Sequence, residues 1–78
     1  MPRFFFHLHN DDDTPDEEGR ELPGIEVARA AAIADARHMA AESVRSGRLD
    51  LSHFVEVADA AGERLFRISF GEAVAIVG

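Results

Sequence analysis

The 78-residue sequence contains no cysteine, no lysine, no tryptophan and no tyrosine. Without cysteine, the chain has no disulfide framework, no zinc-thiolate site, no iron–sulfur cluster and no thiol nucleophile. Without lysine, it has neither Schiff-base chemistry nor the lysine of a P-loop. A chain of this length builds one small core, so we expect a single domain over residues 1–78.

Positive charge is also scarce. The chain has 8 basic residues against 15 acidic ones, which gives a formal net charge of −7. This balance argues against a nucleic-acid binder that neutralises phosphates and against a polybasic membrane patch. The sequence shows no apolar run long enough for a signal peptide or a membrane span. We therefore expect a cytoplasmic protein that binds neither nucleic acid nor membranes.

Apolar periodicity predicts the secondary structure. Alternating residues predict strands at 3–9, 54–59 and 64–70, and a helical period predicts one long helix at 25–46, before Gly47. The predicted fold class is α+β with two layers. One amphipathic helix packs on a small, mostly antiparallel, three-stranded sheet in the order strand, helix, strand, strand, short tail.

The same patterns predict the core. On the helix, one arc is apolar and is expected to face the sheet; it comprises Ile25, Ala28, Ala32, Ile33, Ala36, Met39, Ala40 and Val44. On the strands, alternate residues are expected to face the helix; they are Phe4, Phe6, Leu8, Val55, Val57, Phe66, Ile68 and Phe70.

Several short motifs, in this order, resemble a known family. They are MPRFFFH at residues 1–7, DEEGRELP at 16–23, an alanine-rich helix containing Ala28-Arg29, RSGRLD at 45–50 and the turn at 59–62. Together with Phe70 and the Glu-Ala-Val that begins at Glu72, they resemble a family of short uncharacterised bacterial proteins, mostly alphaproteobacterial, classed as a domain of unknown function. The resemblance covers nearly the whole chain and implies no activity, cofactor or catalytic residue.

Residues 10–19 form the most acidic part of the chain. The segment carries six acids in the eight positions 11–18, which cannot be buried, so we expect an exposed loop. One interpretation is a solvated loop; another is a docking site for a basic protein partner, with Asp11, Asp12 and Asp13 as interaction residues. Calcium binding through Asp11, Asp13 and Asp16 is a third interpretation, although the EF-hand pattern fails at Pro15 and Asp16.

His7 and His9 are two residues apart on a predicted strand, so their imidazoles face the same side. Such a pair is able to chelate zinc or a similar ion if a third ligand comes from the acidic loop or from His53. The alternative is that both histidines are polar residues of an open sheet face. No spacing fixes a third ligand, so no cofactor is predicted.

The sequence gives little support for catalysis. No hydroxyl lies in a recognisable nucleophile motif, and no segment is rich enough in glycine to cradle a phosphate. A chain this small has little scope for a deep, dry pocket. We therefore predict that the protein is not an enzyme.

The sheet face away from the helix carries an unexpected apolar group: Phe5, Phe54 and Leu65. A solvated face is normally polar, so this group indicates that something covers it. The cover is either the C-terminal tail, through Val74, Ile76 and Val77, or a second copy of the chain, and we favour a homodimer. The function that these features favour is a small non-catalytic protein-interaction or regulatory module. The alternative is a metal-binding protein that uses His7 and His9 or the acidic loop.

Overall fold

A computed structural model describes residues Met1–Gly78 and confirms the predicted α+β class. The sheet has five strands rather than three, because two short strands form within and beside the acidic region. In chain order the elements are β1 (Arg3–His9), β2 (Asp13–Thr14), β3 (Arg20–Glu21), α1 (Ile25–Arg45), β4 (Phe54–Ala58), β5 (Arg64–Ser69) and α2 (Phe70–Ala73).

The sheet is antiparallel and has β1 near its centre, with the strand order β2-β1-β4-β5 and β3 also paired to β1. β1 pairs with β4 in the register Phe6↔Val57 and Leu8↔Val55. These four residues lie on the same face, so the predicted alternation is confirmed. β1 and β4 lie on opposite sides of α1 in the sequence. Because they pair, the N-terminal and C-terminal parts of the chain belong to one sheet.

Helix α1 begins after Gly24, whose backbone is extended, and ends at Arg45, one residue before the predicted end. Gly47 has a φ of +93°, and its N–H bonds to the carbonyl of Val44 while the N–H of Arg48 bonds to that of Ser43. This is the Schellman arrangement that glycine favours at a helix end. Neither helix is long and apolar enough to cross a membrane.

The core lies between α1 and the sheet. α1 contributes a stripe of small residues four apart, Ala28, Ala32, Ala36 and Ala40, all buried, which allows the helix to lie close to the strands. Ile25 and Val44 were predicted to be buried but are 48% and 58% exposed. At about 1.5 Å per residue the helix is longer than the strands beneath it, so its two ends extend past the sheet.

The chain leaves the sheet at Ser69, one residue before the predicted strand end. Ser69 and Glu72 form a capping box that starts α2, and Phe70 is completely buried. α2 packs against α1, where Nε of Arg37 donates to the carbonyl of Ala73 at 2.7 Å. The tail beyond α2 therefore leaves from the helix side of the molecule.

The outer edge of β5 is poorly suited to pairing with another strand. Val57 pairs with Phe66 and Ala58 with Arg64, so Leu65 is an extra residue that forms a bulge. The edge strand also carries the exposed arginines Arg64 and Arg67. Bulges and charges are the usual protection of a sheet edge against unwanted pairing, so extension of the sheet through β5 is disfavoured.

Candidate functional site

Residues 10–19 are mostly exposed, and most of them have no regular secondary structure, but this loop is paired with the sheet at both ends. β2 pairs with Leu8 and His9 at the end of β1, and β3 pairs with Arg3 and Phe4 at its start. The chain between these two short strands follows β1. We call residues 11–18 the acidic segment; it is a loop held against the sheet, and only Asp13–Thr14 within it form a strand.

Asp16 attaches the acidic segment to β1. One carboxylate oxygen accepts the N–H of Phe6 at 3.1 Å, and the other accepts those of Glu18 and Gly19 at 3.2 and 3.1 Å. Burial raises the pKa of Asp16, but these backbone hydrogen bonds and the charge of Arg20 outweigh it, so the pKa lies below its ordinary value. An ionised side chain thus takes the place of a neighbouring strand beside Phe6.

The sequence Asp-Glu-Glu-Gly at residues 16–19 ends in a glycine whose backbone conformation explains why glycine is needed there. The φ of Gly19 is +70°, a conformation that residues with a side chain rarely adopt. A Cβ at this position would lie 2.9 Å from Cγ of Arg3 and 2.9 Å from the carbonyl oxygen of Phe4. The turn that follows Asp16 therefore requires glycine both for its dihedral angle and for its approach to β1.

His7 and His9 lie on the same side of β1, as predicted, but both are already engaged. The N–H of Asp16 donates to Nδ1 of His7 at 2.9 Å, so the neutral ring carries its proton on Nε2. His9 lies between two carboxylates, with Nδ1 at 2.8 Å from Asp13 and Nε2 at 3.4 Å from Glu56. The two rings border a cavity of about 280 Å³ with Asp13 and Glu56.

The structure does not bring a third metal ligand to His7 and His9. His53, one of the predicted third ligands, packs edge-on against Phe70 in the core, with ring centroids 5.7 Å apart. No group of three or more histidine or acidic residues is arranged to hold a metal ion. With its proton on Nε2 and Nδ1 accepting a hydrogen bond, neutral His7 offers no free lone pair to a metal.

The three carboxylates proposed for calcium point to different partners. Asp11 lies 3.5 Å from Arg48 and 3.5 Å from Nε2 of His53, near the end of α1. Asp13 binds His9, and Asp16 binds backbone N–H groups. The residues are close in sequence, but the turn at the end of β1 directs them to separate places.

Three acids of the segment have no cationic partner: Asp12, Glu17 and Glu18 are exposed and take part in none of the salt bridges of the chain. Asp12 makes a local turn in which its N–H donates to Oδ1 of Asn10 at 3.0 Å. These carboxylates are the ones available to a partner. The sequence indicated the acidity of this region, but it did not separate these acids from Asp11, Asp13 and Asp16.

Phe5 and Phe54 occupy the sheet face away from α1, and both are half-buried. The sequence predicts Leu65 on this face too, but Leu65 lies in the bulge of β5, which breaks the alternation, and it packs against the core. Phe54 lies between the ring of His9, stacked at a centroid distance of 4.6 Å, and the guanidinium of Arg67, at 4.7 Å. Polar neighbours thus cover part of this face.

The tail does not cover this sheet face. α2 and Val74 pack against the core on the helix side, and Ile76 and Val77 are 67% and 92% exposed. The chain's own C-terminal tail therefore does not cover the apolar group on the outer sheet face.

A groove on the helix side of β1 has no signal in the sequence. α1 packs over β4 and β5, which leaves part of β1 uncovered between the helix and the acidic segment. Phe6 and Leu8 form the floor and line two cavities of about 580 and 250 Å³. We call this depression the Leu8 groove. Apolar periodicity does not show which strands a helix covers, so the groove appears only in three dimensions.

The walls of the Leu8 groove carry charge. Residues 14–20 form one wall, and Asp35, His38 and Met39 of α1 form the other. Arg20 closes one end, because its guanidinium is bonded to the carboxylate of Asp35 and lies 4.1 Å above the ring of Phe6. The groove therefore combines an apolar floor with one acidic wall, formed by the acidic segment.

Comparison with curated proteins and with solved structures finds no match for the chain. A family model does match, over residues 3–71, which includes both sides of the Leu8 groove and every strand of the sheet. The match agrees with the resemblance drawn from the ordered motifs. The chain belongs to DUF6894, a family defined by a domain of unknown function.

Proposed function

We propose that this domain is a small non-catalytic protein-interaction module that binds a basic partner through its acidic segment. The observation that carries the proposal is the attachment of this segment to β1 by Asp16, which accepts three backbone hydrogen bonds. A charged segment held in this way presents its free carboxylates at fixed positions. Less conformational entropy is then lost when a partner binds.

The charge distribution supports a basic partner. Asp12, Glu17 and Glu18 are exposed and unpaired, and the whole chain has a formal charge of −7. Complementary charge increases the rate of association and selects against acidic partners. A regulatory role fits the same surface, since a non-catalytic domain regulates a partner by binding to the partner's surface.

The surroundings of the hydroxyl groups support a non-catalytic role. Ser43 and Ser46 donate to carbonyl oxygens one helical turn earlier, and Ser52 donates to the carboxylate of Asp50 at 2.6 Å. Ser69 caps α2. Each of these hydroxyls is engaged in local structure, and none is hydrogen-bonded to a histidine that would act as its general base.

The test is affinity capture from an extract of the cells that make the protein, followed by calorimetric titration of each captured partner. The double variant Glu17→Gln/Glu18→Gln removes two unpaired charges, and Glu26→Gln/Glu63→Gln removes two exposed charges elsewhere. We expect the first pair to weaken binding by about tenfold and the second to change it less than about twofold. Partners that are acidic, or that bind both variants equally, would contradict the proposal.

A second proposal concerns assembly, because the tail leaves the sheet face with Phe5 and Phe54 without a cover. A homodimer that stacks this face on its two-fold copy would remove the remaining apolar surface from water. The bulge and the arginines of β5 disfavour the alternative of edge-to-edge pairing. Such a dimer would leave both acidic segments free for partners.

A further inference from the structure

We propose that the Leu8 groove binds an extended segment of a partner protein in which an apolar side chain is flanked by arginine or lysine. The inference rests on the proposed function, because it specifies how a basic partner is recognised. Charge alone does not distinguish one basic segment from another. The groove adds an apolar contact beside the charges, and a few side chains that are well packed in pockets carry most of the binding energy of an interface.

The apolar part of the site is the smaller cavity. Phe6, Leu8, Met39 and Val55 line most of it, and its volume is about 250 Å³. That volume corresponds to about eight water molecules, which is room for one aliphatic side chain. The displacement of water from such a lining is favourable in proportion to the apolar area that becomes covered.

The charged part adjoins it. Asp16, Glu17 and Glu18 line the larger cavity, where Arg20 is the basic residue. The carboxylate of Asp16 is used by backbone N–H groups and that of Asp35 by Arg20, whereas Glu17 and Glu18 have no cationic partner. A basic side chain next to the apolar one would reach these two carboxylates, and the negative field of the wall favours it.

At one end of the groove, the chain's own Arg20 makes the type of contact that we propose for a partner's arginine. The guanidinium of Arg20 lies 4.1 Å above the ring of Phe6 and is paired with Asp35. An arginine is therefore held here by an aromatic ring and a carboxylate together. A partner's arginine beside Glu17 or Glu18 would meet the same combination of an apolar floor and an acidic wall.

A second copy of the chain fits the groove poorly. Its arginine-flanked apolar residues, 64–67, lie in β5 and are paired with β4, so they are not free to enter as an extended segment. The occupant is therefore a separate basic protein.

The test uses two blocked synthetic peptides, Gly-Arg-Leu-Arg-Gly and Gly-Arg-Ser-Arg-Gly, titrated into the isotopically labelled full chain and followed by NMR. We expect the leucine peptide to bind at least about tenfold more tightly than the serine peptide. The backbone signals of Leu8 and Met39 should move with the leucine peptide and remain in place with the serine peptide. Met39→Gln, a change of similar size on the exposed side of the core, should reduce this preference to less than about twofold.

The charge requirement is tested with the same peptides. Glu17→Gln/Glu18→Gln should weaken the binding of both peptides equally, and Glu26→Gln/Glu63→Gln should weaken the binding of neither.

If both peptides bind with equal affinity but still depend on Glu17 and Glu18, the groove is not the recognition site and the proposed function survives. If neither peptide binds, the groove inference fails, and the proposed function is decided by the captured partners and their response to Glu17→Gln/Glu18→Gln. If the leucine peptide shifts signals of Phe5 and Phe54 instead, the apolar contact lies on the opposite sheet face and the groove inference is wrong.

Discussion

The carboxylate of Asp16 accepts the backbone N–H of Phe6 at 3.1 Å and thereby completes the hydrogen bonding of β1 between its two short partner strands. The same residue donates its own N–H to His7. An acidic segment that would otherwise repel itself is thus held against the sheet by one side chain. The stability and the binding properties of the region should both depend on this residue.

Replacing Asp16 by alanine should lower the free energy of unfolding by about 1–3 kcal/mol. The change leaves the N–H groups of Phe6, Glu18 and Gly19 without their acceptor, and that of Phe6 lies in a partly buried position. Urea unfolding followed by circular dichroism measures the loss.

The matched control for Asp16 is the triple variant Asp11→Asn/Asp12→Asn/Asp13→Asn. Its side chains are exposed, and two of them form surface ion pairs. We expect its stability to change by less than about 1 kcal/mol, since exposed pairs contribute little. A triple variant that loses more than Asp16→Ala would show that the segment is attached through those acids instead.

The lowered pKa of Asp16 predicts how stability depends on pH. Because the folded value lies below the ordinary 3.8, the unfolded chain takes up the proton more readily than the folded one. The contribution of Asp16 is therefore fully present above about pH 5 and is lost as the pH falls through the lowered folded value.

The measurement for this pH dependence is the difference in unfolding free energy between the wild type and Asp16→Asn from pH 7 to pH 2. The difference should be constant above about pH 5 and should decrease towards zero at the acid end. The series is repeated in a His7→Gln background, which removes the imidazole that accepts the N–H of Asp16. A difference that grows as the pH falls would contradict the assignment.

Gly19→Ala should destabilise the domain more than Gly47→Ala. Both glycines have positive φ, which costs an alanine about 1–2 kcal/mol. A Cβ at Gly47 meets nothing within 4 Å, whereas a Cβ at Gly19 would lie 2.9 Å from the carbonyl oxygen of Phe4. We expect the difference between the two variants to exceed about 1 kcal/mol in urea unfolding. Equal losses would mean that the dihedral angle alone requires glycine at position 19.

These residues show which features the sequence predicts. The alternation of Phe4, Phe6 and Leu8 gives the face of β1, and the alanine spacing gives the buried stripe of α1, because both depend on local periodicity. The role of Asp16 depends on β1 being ten residues away in sequence and adjacent in space. Local patterns contain no such information. The Leu8 groove depends on the lateral position of α1, which packing against β4 and β5 decides.

A titration with zinc and with calcium should give no stoichiometric binding at micromolar concentrations. His7 offers no free lone pair in its neutral form, and no three ligands converge near His9. Isothermal calorimetry of the wild type and of His7→Ala/His9→Ala should give the same weak heats. Micromolar zinc binding that disappears in the double variant would instead support the metal-binding hypothesis for these two histidines.

The final prediction concerns Phe54 and the assembly of the domain. Light scattering at tens of micromolar should give about twice the chain mass of 8.5 kDa. Phe54→Glu should shift the protein to monomer, because a carboxylate in a closed apolar interface costs several kcal/mol unless it is paired. Within one chain the new glutamate would lie between His9 and Arg67, so the fold itself should persist, as checked by circular dichroism.

Ile76→Glu, on the exposed tail, is the control and should leave the dimer intact. A monomeric wild type would show that the stacking of His9 and Arg67 on Phe54 is sufficient cover, and that the acidic segment with its groove is the binding surface of a single chain.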